Sequence, residues 1–185
     1  SCSGFTTTGA SVIENVEILP RGILFWRSFT QWIGGLGILL FSIAFMPSLG
    51  LNCQNMVTSE NPSPMLDKID DKMISTAKKI LVVYLIITTL EIVLLLLSGL
   101  GVFDSFIHTF GTVGSGGFSN YNNSIAHFDS SLVRIIITFF MVVSGINFNL
   151  LFLPIRRGLR VILYDMEIQR YLGIILFGVF FIFTV

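Results

Sequence analysis

The sequence predicts an all-α integral membrane protein assembled from repeated units of helix, re-entrant loop and helix, and three observations carry that prediction. Of 185 residues, 53% are hydrophobic and only 12% charged, and the mean hydropathy of +0.83 is too high for a domain that must keep its surface in water. Three apolar runs are each long enough to cross a bilayer. Finally, the stretch Ser3-Gly4-Phe5-Thr6-Thr7-Thr8-Gly9-Ala10-Ser11 returns in altered form as Gly111-Thr112-Val113-Gly114-Ser115-Gly116-Gly117-Phe118-Ser119, each copy ahead of a long apolar run.

The first Thr/Gly stretch is poor helix material. It precedes the run from Ile23 to Phe45, which spans ~34 Å as a helix and so covers the hydrocarbon core. Arg27, near its outer end, is expected to snorkel to the interface, as is Arg134 in the third run. Pro47 to Pro64 contains three prolines and reads as a loop. Asp67 to Lys79 is polar, free of glycine and proline, and suits a helical lead-in to the second run, Ile80 to Leu100, whose one charge is Glu91. An ionisable group at that depth is a functional candidate by default, but no motif falls on it and a packing role is the plainer reading.

Val102 to Phe110 is apolar yet too short to cross, so it reads as a re-entrant half helix leading into the second Thr/Gly stretch. The third run, Leu132 to Leu153, is interrupted by Gly145-Ile146-Asn147-Phe148-Asn149. Glycine weakens a helix, and asparagine side chains compete for its backbone hydrogen bonds. A fourth run opens at Tyr171 and is still apolar at Val185.

Eight of the eleven basic residues lie in two segments: Lys68, Lys72, Lys78 and Lys79 before the second run, and Arg156, Arg157, Arg160 and Arg170 after the third. The positive-inside rule puts both segments in the cytoplasm and both Thr/Gly stretches on the outer side. A shift of 108 positions aligns Gly9 with Gly117, Ser11 with Ser119, Asn15 with Asn123 and Gly37 with Gly145, which makes the organisation repetitive. Residues 1–46 are then the end of one repeat and 47–79 a cytoplasmic loop and lead-in. Residues 80–153 form a complete repeat, 154–170 a second cytoplasmic loop, and 171–185 the start of a third unit. Such a chain is expected to be an interior piece of a longer one.

Irregular backbone at membrane depth is tolerated where it lines a cavity, and its carbonyl oxygens can replace the water around an ion. Either Thr/Gly stretch alone reads as a turn; the pair, each before a spanning helix, reads as filter segments for a cation. Glycine permits the dihedrals that turn successive carbonyls to one axis. The half helix aims the negative end of its dipole at the same place, with Asp104 suited to its opposite end. Gly34, Gly35 and Gly37 read as close-packing positions rather than a nucleotide fingerprint, which needs a preceding strand. His108 and His127 read as half-buried or interfacial residues, and Cys2 and Cys53 show no metal-type spacing.

These motifs, together with Phe25-Trp26-Arg27-Ser28-Phe29-Thr30-Gln31-Trp32-Ile33-Gly34-Gly35-Leu36-Gly37, closely resemble those of the TrkH branch of the Trk/Ktr/HKT potassium-uptake family. The likeness runs over essentially the whole chain, from the tail of that family's second repeat into its fourth. It implies a potassium-channel-like fold with four repeats in one polypeptide, each giving one filter strand, in the cytoplasmic (inner) membrane as a multi-pass homodimer. A cytoplasmic nucleotide-binding regulatory subunit of the TrkA type would attach to it. Carried over by motif, the potassium-binding residues are Thr7, Thr8, Gly9, Ser115, Gly116 and Gly117, and the pore-obstructing gating loop is Gly145, Ile146, Asn147, Phe148 and Asn149. The third filter departs from many relatives in carrying Ser115 where threonine is common. Potassium is the transported substrate; no cofactor, catalytic activity or nucleic-acid partner is expected.

Two other readings stay open at this level. A secondary transporter with broken helices also places unwound backbone at the midplane, and differs in unwinding the centres of full spans. Ser1-Cys2-Ser3-Gly4 with two histidines has a faint likeness to intramembrane serine proteases, although both histidines lie in the outer segment around the second stretch.

Overall fold

The computed structural model describes residues 1–50, 63–146 and 166–184, with side chains placed for 1–41, 75–146, 166–182 and 184. Every regular element among the described residues is helical: α1 Cys2–Phe5, α2 Arg21–Gly50, α3 Ser63–Leu97, α4 Val102–Val113, α5 Ser131–Ser144 and α6 Met166–Thr184. Short 3-10 turns at Val16–Ile18 and Ser124–His127 precede α2 and α5. Residues 1–144 form one compact unit and residues 145–185 a second.

Two described helices, over Arg21–Phe41 and Ser75–Leu97, are long and apolar enough to cross a membrane. The α3 helix is a single piece of 35 residues, ~52 Å at 1.5 Å per residue, so it extends some 20 Å beyond a hydrocarbon core. Lys78 and Lys79 lie near the middle of that helix, before its most apolar stretch. Its C-terminal half buries Tyr84, Ile87, Glu91 and Leu95 while exposing Leu85, Ile86, Leu90 and Val93. A helix apolar on its exposed face as well as its packed one suits a lipid surround.

Several boundaries differ from the sequence reading. The α2 helix continues through Pro47 to Gly50, into the segment expected as a loop from residue 47; one proline in a final turn removes a single hydrogen bond and need not end the helix at once. The half helix runs to Val113, three residues past Phe110, and the last helix begins at Met166, with Arg170 inside it.

Helix α4 is the hub of the first unit. From Ser105 onward it is buried at all positions but Phe106, packed by α2, α3 and α5. Phe110 sits among Phe25, Phe29 and Trp32 at ring-centroid separations of 5.8, 5.9 and 5.4 Å. Ile107 joins Val16 and Leu24 in one apolar cluster; Leu95, Val133 and Ile137 form another where α3 meets α5. Two polar contacts fasten α2 to α3: the Trp32 indole N–H donates to Thr88 Oγ1 at 3.1 Å, and the Tyr84 hydroxyl donates to the Trp32 carbonyl at 2.8 Å.

Candidate functional site

The backbone of the two Thr/Gly stretches repeats in detail. Thr7 and Ser115 have φ of 54° and 52°, and Gly9 and Gly117 have φ of 70° and 73°, whereas Thr8 and Gly116 between them stay out of the left-handed region. Alternating hands turn successive peptide planes so that neighbouring carbonyls face one side, which is what a column of oxygens for a dehydrated cation requires.

The same helix-end hydrogen bonds hold both turns. Thr7 N–H donates to Gly4 O at 3.0 Å, and Ser115 N–H to Thr112 O at 3.0 Å. Thr8 and Gly9 both donate to Ser3 O, at 3.1 and 3.4 Å, as Gly116 and Gly117 both donate to Gly111 O at 3.0 Å. Each pair is related by the 108-residue shift, which also superimposes the two 3-10 turns and makes α1 the counterpart of the last turn of α4. A left-handed residue with a Cβ costs about 1–2 kcal/mol, and three hydrogen bonds at about 1 kcal/mol each offset it. The terminal carbonyls of both short helices are thus engaged in capping the turn that follows.

The two segments meet. A Cβ built on Gly9 would overlap the Gly116 carbonyl oxygen, whereas at Gly117 it would find open space. Gly34 and Gly35 pack their α-carbons against the ends of the short helices: a Cβ on Gly34 would strike the Phe5 backbone, and one on Gly35 would lie 2.9 Å from Gly114 Cα. Their smallness allows close approach to the two Thr/Gly turns. Nothing lies within 4 Å of a Cβ on Gly37.

Other side chains complete the setting. Gln31, fully buried, accepts a hydrogen bond from Phe118 N–H through Oε1 at 3.0 Å. Arg27, expected to snorkel, instead reaches both segments: its Nη2 donates to Ser11 Oγ at 3.1 Å and its guanidinium lies 4.5 Å from the Phe118 ring centroid. The Arg27 guanidinium, drawn partly away from water, finds an acceptor and an aromatic face here. Neither Gln31 nor Arg27 is marked as a site residue by any sequence motif, but Arg27, Gln31, Gly34 and Gly35 fall at i, i+4, i+7 and i+8, a polar and small stripe on one face of an apolar helix.

Beyond the Thr/Gly turns, Asp104 in the first turn of α4 accepts from Asn120 Nδ2 at 2.7 Å and from the Tyr121 hydroxyl at 3.1 Å. It ties the exit of the second segment to the start of the half helix. Burial, and then the Asp104 carboxylate, raise the Tyr121 phenol above its ordinary value. Asn122 clasps the corresponding turn of the other segment, donating from Nδ2 to Asn15 Oδ1 at 2.9 Å and accepting from Val16 N–H at 3.0 Å. His108 is buried rather than interfacial, with its ring edge-on to Phe128 at 5.0 Å; His127 stacks on Tyr121 at 3.6 Å. Neither histidine is brought to Ser1–Gly4 by any of these contacts.

Glu91 is fully buried in α3. Both its oxygens lack a hydrogen-bond partner, although the carboxyl is directed at Thr112, whose own hydroxyl donates to the His108 carbonyl at 2.7 Å.

Of the expected gating residues, Gly145 and Ile146 are described and Asn147, Phe148 and Asn149 lie outside the described residues. Helix α5 ends at Ser144 and the chain turns at Gly145 and Ile146, where the sequence puts its interruption. The one proton of the buried Ser144 Oγ is shared between Phe140 O at 2.7 Å, in its own helix, and Thr112 O at 3.2 Å, at the end of the half helix. In the second unit, Gly145, Ile146, Arg170 and Tyr171 border a cavity of ≈ 540 Å³. Arg156, Arg157 and Arg160 are outside the described residues.

Comparison with known proteins gives a consistent result. A family model described as a cation transport protein, TrkH, matches residues 1–185. The chain is 37% identical over 176 residues to the Trk system potassium uptake protein TrkH of Escherichia coli K12, covering 94% of this chain and 36% of that protein. To the Halomonas elongata protein of the same name it is 36% identical over 187 residues, covering 100% of this chain and 39% of the other. The crystal structure of the potassium transporter TrkH from Vibrio parahaemolyticus is similar with a TM-score of 0.76 at 33% identity, covering 92% of this chain and 34% of that one. The chain spans little more than a third of the length of the relatives it matches.

Proposed function

The chain belongs to the TrkH family of cation transport proteins, and from that premise we propose that it supplies two of the four segments of a potassium filter in a membrane uptake system. The single observation that carries the proposal is the repeated backbone: a left-handed residue, an ordinary one and a left-handed glycine at Thr7–Gly9 and again at Ser115–Gly117. Carbonyls turned to one side by such alternation offer hard, neutral oxygens that suit an alkali cation.

Ions approach from the outer side, lose water to the carbonyls of the filter, and pass the break after Ser144 on the way to the cytoplasm. Gly145 to Asn149 act as the gate; deletion of these five residues raises potassium flux in the full-length protein, and unchanged flux would remove the gate. The unwound backbone at the two Thr/Gly stretches follows short helix ends instead of interrupting the centre of a full span, which favours the channel-like arrangement over a broken-helix solute transporter. The relatives are named as transporters, and the reading assigns no reaction chemistry to the chain. The full protein works as a homodimer in the cytoplasmic membrane, with a nucleotide-binding TrkA-like subunit on its cytoplasmic side.

The test is potassium uptake in a transport-deficient cell expressing the full-length protein with Gly9 or Gly117 replaced by serine. Reduced affinity and reduced preference over sodium are expected for both. Wild-type values in both variants would overturn the filter assignment.

A further inference from the structure

We infer that Gln31 is a selectivity-setting brace: a positioning residue on the inner helix of one repeat that holds the filter segment of the next. The inference rests on the filter reading above and assigns a role within it. Gln31 has 0% of its surface exposed, in a helix whose other face is apolar. Its Oε1 accepts from Phe118 N–H at 3.0 Å, immediately after the left-handed Gly117. The amide fills the space behind the second segment: a Cβ on Gly116 would overlap its Cδ and Nε2, and one on Gly111 would stand 3.6 Å from Oε1.

The other end of the amide points to the junction of the two segments. Nε2 is buried without a hydrogen-bond partner, and a Cβ on Gly9 would lie 3.7 Å from it. One planar group therefore spans from the Phe118 amide to the place where Gly9 meets the Gly116 carbonyl. The bracing is not shared by the repeats. Position 139, the 108-residue counterpart of Gln31, is Phe139, which is 60% exposed. Losing the brace leaves the Phe118 N–H buried without its acceptor, a loss on the order of tenfold in the population of the correctly set segment. Carbonyl spacing then relaxes, and the ion that most needs that spacing loses its advantage.

The experiment measures potassium and sodium flux in proteoliposomes of the full-length protein carrying Gln31→Met or Gln31→Glu, beside wild type and Gly117→Ser. The flux ratio is independent of how much protein is active. Methionine fills about the same volume with only a weakly accepting sulfur; in its neutral acid form the carboxyl introduced by Gln31→Glu keeps an acceptor oxygen at the same reach. The expected result is a potassium-to-sodium ratio about tenfold lower for Gln31→Met and within about threefold of wild type for Gln31→Glu. An unchanged ratio in Gln31→Met, or an equal loss in both variants, overturns the inference. Loss of all flux in both also counts against it, because Gln31 would then be needed only for folding. If Gly117→Ser too leaves the ratio at its wild-type value, the filter reading itself fails; if Gly117→Ser lowers it and Gln31→Met does not, only the brace fails.

Discussion

Replacing Gly9 and Gly117 by alanine, one at a time, separates two effects that the shared backbone would otherwise confound. Both glycines are left-handed, at φ of 70° and 73°, so each alanine carries a conformational cost of about 1–2 kcal/mol. At Gly117 nothing else is added, because the new methyl meets open space. At Gly9 the methyl overlaps the Gly116 carbonyl oxygen, with the Gly116 carbonyl carbon 3.0 Å away. Relief requires moving backbone rather than a flexible side chain, an overpacking cost of about 1–3 kcal/mol on top of the dihedral term. Gly9→Ala should therefore be the less stable variant by about 1–3 kcal/mol, and it displaces an oxygen of the neighbouring segment as well. The assay is a thermal melt of the detergent-solubilised full-length protein with and without potassium. Gly117→Ala is expected to melt a few degrees below wild type and to retain part of the protection by potassium. Gly9→Ala is expected to melt lower still and to lose that protection. Equal melting temperatures for the two variants would refute the reasoning that the segments are packed carbonyl against glycine.

Two further substitutions probe the surroundings. Glu91→Gln keeps the shape of a fully buried side chain and supplies an N–H that the Thr112 hydroxyl can accept, so transport should stay within about twofold of wild type, whereas Glu91→Lys buries an unpaired charge at a cost of several kcal/mol and should yield no folded protein; transport assays and membrane yield check both, and a large loss of transport in Glu91→Gln would make Glu91 part of the ion path. Asp104→Ala removes the acceptor of both the Asn120 amide and the Tyr121 hydroxyl and should destabilise the outer end of α4 by about 2–3 kcal/mol, read as faster amide exchange over residues 102–106; exchange equal to wild type would show that the tie does not hold the half helix.

Much of this is legible in the sequence for a physical reason. Hydropathy fixes which stretches sit in lipid, and a backbone that needs left-handed residues leaves glycines at set spacing, so Gly9 and Gly117 announce both the repeat and its period. The half helix follows from length alone, since Val102 to Phe110 is apolar yet cannot cross. Thr7 and Ser115 are marked by motif, but their left-handed φ cannot be read from them, because residues with a Cβ rarely adopt it and here only the capping bonds from the preceding helix sustain it. Arg27 shows the opposite failure: one-dimensional reasoning sends a cation near a helix end to the interface, while Ser11 and Phe118, distant in sequence, provide a nearer partner. Gln31 looks in one dimension like one of several polar residues, with Arg27, Ser28 and Thr30, in an otherwise apolar helix. Its meaning rests on a contact with Phe118, 87 positions away, and only the stripe it shares with Arg27, Gly34 and Gly35 hints at a packed partner.

Locating the ion tests the filter most directly. Anomalous scattering from crystals of the full-length protein grown in rubidium should show an ion peak beside the carbonyls of Thr7 to Gly9 and Ser115 to Gly117, weakened when sodium replaces rubidium. An ordered filter region with no peak there, and rubidium bound elsewhere along the helices, would contradict the assignment of these two segments as ion ligands.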